Sequence, residues 1–168
     1  MKYVLYLDPS LRYFGLSVIG WPINTKRKPR LVYTECIATK RNARGLVRDS
    51  DLANLEQIAQ ALEDVFNTYH IHRVVVEAFV GSKSSTAAKA LAFVQGLIVG
   101  VCVVHEVPRT YYTAMDVKKK LTGVRVAEKD DVLQGALKMF PELQTFIEGK
   151  KKEIQYAMAD SCALFVCE

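Results

Sequence analysis

The chain opens on two apolar runs, residues 2–7 and 14–20, parted by Asp8-Pro9-Ser10-Leu11-Arg12. Such runs on either side of a turn-forming segment read as strand, tight turn, strand, and so as a hairpin. A basic, Pro-containing loop over 22–30 leads to a third strand at 31–37, and the polar stretch 39–50 reads as a loop. From Asp51, placed as a cap, Leu52, Leu55, Ile58, Ala59, Leu62, Val65 and Phe66 recur at helical spacing, with Glu56 and Glu63 on the other face. Residues 73–76 are too few and too β-branched for a helix, and predict a buried strand ending at Glu77.

A small, polar loop over 81–85 precedes a second helix, 85–99, with Ala88, Leu91, Ala92, Gln95 and Val99 along one side. Its small residues permit close packing against a neighbour. A fifth strand is expected over 101–107, stopped by Pro108. Helices follow at 112–121, 128–140 and 153–166, and no internal repeat or low-complexity segment is found. The order βββαβαβ followed by helices predicts an α/β architecture, a mixed sheet covered by helices on both faces. At 168 residues, half of them hydrophobic, the chain fits a single domain over 1–168.

Composition adds little and excludes more. The formal net charge of +5 favours a polyanionic partner, as a weak pointer. Cys36, Cys102, Cys162 and Cys167 lack CxxC spacing, which argues for buried free thiols in a reducing compartment such as the cytoplasm, and against a disulfide framework or a zinc site. No stretch is read as approaching the ~20 uncharged apolar residues of a membrane span, and Asp8 interrupts any signal-like N-terminus, so the chain is expected to be neither membrane-bound nor secreted.

Three carboxylates stand where chemistry can use them. Alone, Asp8 is explained as an Asx-turn residue, Glu77 as a charge solvated or paired at a strand end, and Asp160 as an ion-pair partner for a lysine. Together they say more. If the first and fourth strands are neighbours, Asp8 and Glu77 come side by side, and a packed C-terminal helix can deliver Asp160. An oxygen-only cluster suits Mg²⁺ or Mn²⁺, and two such ions serve the in-line displacement of a phosphodiester.

The segment Leu7-Asp8-Pro9-Ser10-Leu11-Arg12-Tyr13-Phe14-Gly15-Leu16-Ser17-Val18-Ile19 resembles the opening of the RuvC-type Holliday junction resolvases. Glu35-Cys36-Ile37-Ala38-Thr39-Lys40 is similar to the family's third strand, and Val74-Val75-Val76-Glu77 to the strand that ends in its second acid. Asp116-Val117-Lys118, Leu121-Thr122-Gly123 and Ala127-Glu128-Lys129 resemble a later block in which lysines approach DNA phosphate. Ala159-Asp160-Ser161-Cys162-Ala163-Leu164 resembles the closing helix that brings the last ligand.

The blocks stand in family order over nearly the whole chain. The resemblance implies an RNase H-like fold with a five-stranded sheet, a Mg²⁺- or Mn²⁺-dependent endonuclease with two ions per site, and a DNA-containing compartment. It also implies a homodimer that binds a four-way junction and nicks two strands of like polarity.

Two positions depart from the pattern. Ser10-Leu11 replaces a Gly-Ser turn, and Ala157 stands where the family has an acid three residues before its last Asp. Glu153, about two helical turns before Asp160, projects from the same face and is a substitute ligand, or else merely caps its helix.

For DNA contact the candidates are Lys118 and Lys129, then Lys119 and Arg125, which belong to the same basic cluster or to a solvated face. Phe79, just beyond Glu77, would stack at an opened junction or pack in the core, and Ser82 and Lys83 lie in a loop able to approach phosphate. Arg41, Arg44 and Arg48 are candidates for a distal arm. Three rival readings remain: an RNase H-like nuclease for flaps or RNA/DNA hybrids, a catalytically decayed junction-binding protein, and an ATPase of the actin and sugar-kinase type. The last would need a second domain and Gly-rich phosphate loops, which are missing.

Overall fold

A computed structural model describes residues 1–23, 27–40, 47–81 and 84–168. Strands β1 (Lys2–Asp8), β2 (Tyr13–Trp21), β3 (Arg30–Ala38), β4 (Ile71–Glu77) and β5 (Arg109–Tyr112) form one sheet in the order β3-β2-β1-β4-β5. The β1–β2 and β2–β3 pairs are antiparallel, while β1–β4 and β4–β5 are parallel. The mixed five-stranded sheet expected from the sequence is therefore present, hairpin included.

Side chains alternate across each strand and separate two cores. Leu5, Leu7, Val74 and Val76 point to one side, where Ile58 and Leu62 of helix α1 (Val47–Thr68) and Val94 and Ile98 of helix α2 (Ser85–Val104) cover them. Val4, Tyr6 and Val75 point to the other. There they meet Val117 of α3 (Ala114–Thr122), Val132 and Ala136 of α4 (Lys129–Met139), Leu143 of α5 (Leu143–Ile147) and Met158 of α6 (Lys152–Ala163). A 3₁₀ turn, Leu164–Cys167, closes the chain. Each fully buried Leu, Ile or Val contributes roughly 1.5–3 kcal/mol over exposure, so the two cores are the main driving force for both helical layers.

Several sequence expectations are corrected. Residues 101–104 belong to α2, and the fifth strand lies beyond Pro108 at Arg109–Tyr112. Val101 and Val103 suit a strand, but Val94, Ile98, Val101 and Cys102 bury together at helical spacing, and that packing outweighs a weak residue preference. Glu106, at φ 55, turns the chain out of the helix. With its full length, α2 is also long and apolar enough by composition to cross a membrane, contrary to the expectation that no such stretch exists. In this fold its inner face lies on the sheet.

Helix α1 begins at Val47, so Asp51 lies inside it and is no cap. Strand β4 begins at Ile71, two residues before the run at 73–76 that predicts it. The short α5 was not anticipated, and the last helix gives way to the 3₁₀ turn after Ala163. All four cysteines are free, and Cys102, Cys162 and Cys167 are buried, as their surroundings suggested.

Candidate active site

The site is built from strand parity. Tyr6 and Val75 face the α6 side of the sheet, so Asp8 and Glu77, two residues further along their strands, face it too. Leu7 pairs with Val76 across the parallel β1–β4 ladder, which places Asp8 and Glu77 together at its carboxyl end. Gln95 of α2 donates to the Glu77 carbonyl at 3.1 Å, and the Ala78 amide donates to the Tyr112 carbonyl at 2.8 Å, fixing where β4 ends. The turn after Asp8 is organised by Ser10, whose hydroxyl accepts from the amides of Arg12 and Tyr13, each at 3.2 Å.

Helix α6 crosses this corner. Ala157, Met158, Ala159, Ser161, Cys162 and Ala163 are buried between the sheet and α4, and Asp160 between them keeps partial exposure. Asp8, Glu77 and Asp160 consequently line one cavity of about 500 Å³, together with Ser10, Tyr13, Lys118, Lys129, Glu153 and Ala157.

Burial sets the electrostatics. Desolvation first, then the charges of Glu77 and Asp160, pushes the Asp8 carboxyl well above the usual carboxylate range. The same causes, burial followed by Asp160, raise Glu77 to about 7, against the pull of Lys118 and Lys129. Asp160 is raised by burial, and the two lysines oppose the shift. The carboxylates face a shared space without crowding onto one point: among the described residues no three Asp, Glu, His or Cys side chains form a close-set metal cage. An all-oxygen set that repels itself has the donor chemistry that a hard divalent cation takes.

The lysines are held deliberately. Thr113 caps α3 by accepting from the Asp116 amide at 3.2 Å, and Gly123, at φ 81, ends the helix in the left-handed conformation. Lys118, between them, donates to the Ala127 carbonyl at 2.8 Å and so ties α3 to the start of α4. Glu128 and Asp131 cap α4 reciprocally, which sets Lys129 at its first position, with its ammonium 5.4 Å from the Tyr156 ring centroid.

The structure thus gathers Asp8, Glu77, Asp160, Glu153, Lys118 and Lys129. It does not bring Phe79, Lys119 or Arg125 into the cavity wall: Phe79 is 40% exposed beyond β4, and the other two are on the outer surface. Phe79 is therefore not in the core. Ser82, Lys83, Arg41 and Arg44 lie outside the described residues, as does the side chain of Arg48. Sequence reasoning missed Tyr13, a half-exposed ring at the cavity wall. Its odd position on β2, in step with Gly15 and opposite the core-facing Phe14 and Leu16, carries the signal.

The family profile "Crossover junction endodeoxyribonuclease RuvC" matches residues 4–168. The chain belongs to this family. A RuvC of Legionella pneumophila (strain Lens) is 25% identical over 168 residues, covering 99% of this chain and 86% of that protein. One of Rickettsia akari is 28% identical over 131 residues, 77% of each. Among solved structures, Thermus thermophilus RuvC in complex with a Holliday junction substrate superposes with a TM-score of 0.74 at 20% identity, covering 99% of this chain and 92% of that one. The yeast mitochondrial Holliday junction resolvase gives 0.68 at 9% identity over 98% and 76%. These likenesses share the fold, the RNase H-like sheet with helices on both faces.

As a RuvC family member the chain is a crossover junction endodeoxyribonuclease, a DNA-binding nuclease of recombination and repair. The family's nucleases depend on divalent metal, and their work requires a DNA-containing compartment.

Proposed function

We propose that Asp8, Glu77 and Asp160 are the catalytic carboxylates with which this chain nicks a four-way DNA junction, and that they hold two Mg²⁺ or Mn²⁺ ions. The observation that carries this reading is the convergence of three carboxylates from β1, β4 and α6 on one cavity with Lys118 and Lys129 in its wall. Each acid had a bland explanation alone, and none of those explanations accounts for their meeting. Such ions, when bound, supply an activated water and stabilise the leaving oxygen of a phosphodiester.

The chain's own groups do the rest. Asp8, Glu77 and Asp160 offer oxygen ligands from rigid elements, which limits reorganisation on binding. Lys129, exposed at the α4 N-terminus, is placed to meet phosphate from the open side, while Lys118 lies deeper and half-buried. Glu153 stands on the same wall as Ala157 and is the remaining carboxylate able to complete the set.

Among the described residues one cavity gathers these carboxylates, so two cuts in a junction call for two chains. The outer face of α2 suits that pairing. Phe93 is 56% exposed and Val103 63%, and Gly96 and Gly100 between them have open space where a Cβ would stand. This apolar, small-residue stripe is a self-complementary surface for a two-fold homodimer on a two-fold substrate.

The test is nicking of a synthetic four-way junction by wild type, Asp8→Asn and Glu77→Gln in Mg²⁺, Mn²⁺ and EDTA. Metal-dependent nicking that disappears in both variants is expected, and nicking that survives either substitution removes that carboxylate from the reaction.

A further inference from the structure

Asp160 can serve with Asp8 only if α6 lies at one height and one rotation over the sheet, and two buried features set both. The first is Gly15. It pairs directly with Asp8 across the β1–β2 ladder and, by strand parity, faces α6. A Cβ at position 15 would run into the carbonyl of Ala157, meeting its oxygen well inside contact distance and its carbon at 2.8 Å, while the Asp8 Cβ lies 3.4 Å away. The atoms in conflict are backbone, so no trimming of a side chain relieves the clash. Strand and helix touch here without any side chain between them.

The second feature is a fully enclosed hydroxyl cluster one residue beyond Asp160. Ser17 lies 2.7 Å from Ser161 Oγ, 2.8 Å from Thr34 Oγ1 and 3.1 Å from Cys162 Sγ. Ser161 also reaches the Met158 carbonyl at 2.9 Å, and Thr34 donates to the Leu16 carbonyl at 2.9 Å. Ser17, Thr34 and Ser161 are all buried. Each hydroxyl has one proton to give, and those of Ser161 and Thr34 are committed to carbonyls. Ser17 therefore has one proton for two hydroxyl neighbours, and either it or the Cys162 thiol donates across the third contact. These contacts hold α6 to β2, and a rotation of the helix that broke them would leave buried hydroxyls that cannot turn to water.

We propose that Gly15 and the Ser17–Ser161 pair are positioning residues that set the separation and orientation of Asp160 relative to Asp8. Gly15 fixes how closely α6 approaches β2, and the hydroxyl pair fixes its rotation and sliding. They act through Asp160 and touch no substrate. The sequence neighbourhood follows the same logic: Ala157, one turn before Ser161, keeps the β2-facing side of α6 small enough for this approach. The proposal rests on the reading that Asp8 and Asp160 bind metal.

The experiment measures Mn²⁺ binding by calorimetry on the full chain, alongside the melting temperature in EDTA. Wild type, Asp160→Asn, Gly15→Ala, Ser161→Ala and, as a control, Leu143→Ala in the core beneath α4 and α6 are compared. Gly15→Ala and Ser161→Ala are expected to raise the Mn²⁺ dissociation constant by about tenfold or more, the scale seen when groups orienting metal ligands are removed. Leu143→Ala should lower the melting temperature and leave the constant unchanged. Ser161→Ala keeps the question open to test if Gly15→Ala does not fold.

Folded Gly15→Ala or Ser161→Ala protein that binds Mn²⁺ as wild type does would overturn the proposal. So would a rise in the constant for Leu143→Ala equal to theirs, since loss of core packing would then suffice. If Asp160→Asn binds as well as wild type, the assignment of Asp160 as a ligand fails instead, and the positioning proposal falls with it.

Discussion

Asp8 and Glu77 end neighbouring parallel strands one step past the Leu7–Val76 pair, with both carboxyls on the face that α6 covers. No feature of the hairpin or of β4 requires two acids there. Their burial beside one another works against folding, which marks the corner as one arranged for chemistry.

That arrangement gives stability a sign against pH. Glu77 is raised from the ordinary glutamate value of 4.5 to about 7 by burial and by Asp160. A group whose folded value lies above its unfolded one stabilises the fold fully below the unfolded value, and this contribution is lost as pH rises through the folded value. In EDTA the melting temperature should therefore fall between about pH 4.5 and 7, and Asp8, shifted in the same direction, adds to the fall. Glu77→Gln should flatten part of that slope, and millimolar Mg²⁺ should recover the loss at pH 8. Thermal unfolding monitored by circular dichroism across pH checks this; a melting temperature that rises through the same window would contradict it.

The fourth corner of the carboxylate set can be probed by moving the acid. Ala157 and Glu153 line the same cavity, one and two turns before Asp160. Glu153→Gln should raise the Mg²⁺ concentration for half-maximal nicking, and Ala157→Asp added to it should bring that concentration back toward the wild-type value. Full activity at unchanged Mg²⁺ in Glu153→Gln would exclude Glu153 from the site.

The sequence displayed this site better than it displayed the second half of the sheet. Asp8, Glu77 and Asp160 stand out because each is a charge set among apolar residues, and strand parity then determines which face they share. The C-terminal half of α2 and β5 were misread because Val101 to Val107 is as β-branched as a buried strand, and only contact with the α1 side of the sheet decides for a helix. Gly15 and Ser17 passed as ordinary strand residues. Their importance lies in what presses on them from residues 157 and 161, a separation along the chain that local pattern cannot bridge. Phe79 fell outside the cavity for the related reason that the direction of the chain after β4 is set by the Ala78–Tyr112 hydrogen bond.

Lys129 is exposed at the cavity rim, whereas Lys118 is half-buried and donates to the Ala127 carbonyl. Lys129→Ala should weaken junction binding at all sequences alike and reduce the slope of log affinity against log salt by about 1, as loss of one phosphate contact requires. Binding titrations at several salt concentrations give that slope. An unchanged slope would place Lys129 away from the DNA backbone.

On α2, Gly96 and Gly100 face open space in the single chain. Gly100→Arg should fold as well as wild type, because an exposed helical glycine is replaced by a better helix former worth up to about 1 kcal/mol. It should nonetheless turn a dimer into a monomer in sedimentation velocity and abolish paired nicking. A dimer that persists in Gly100→Arg would show that the chains pair through another surface.

Whether this carboxylate corner cuts junctions is decided by product mapping on one substrate. A four-way junction labelled on each strand in turn is incubated with the wild-type protein in Mg²⁺, beside flap, linear duplex and RNA/DNA hybrid controls. Symmetric nicks in two strands of like polarity, abolished by EDTA and faster than cleavage of every control, are predicted. Preferential cleavage of the flap or hybrid, or junction binding without any metal-dependent nick, would contradict the assignment of these carboxylates to junction cleavage.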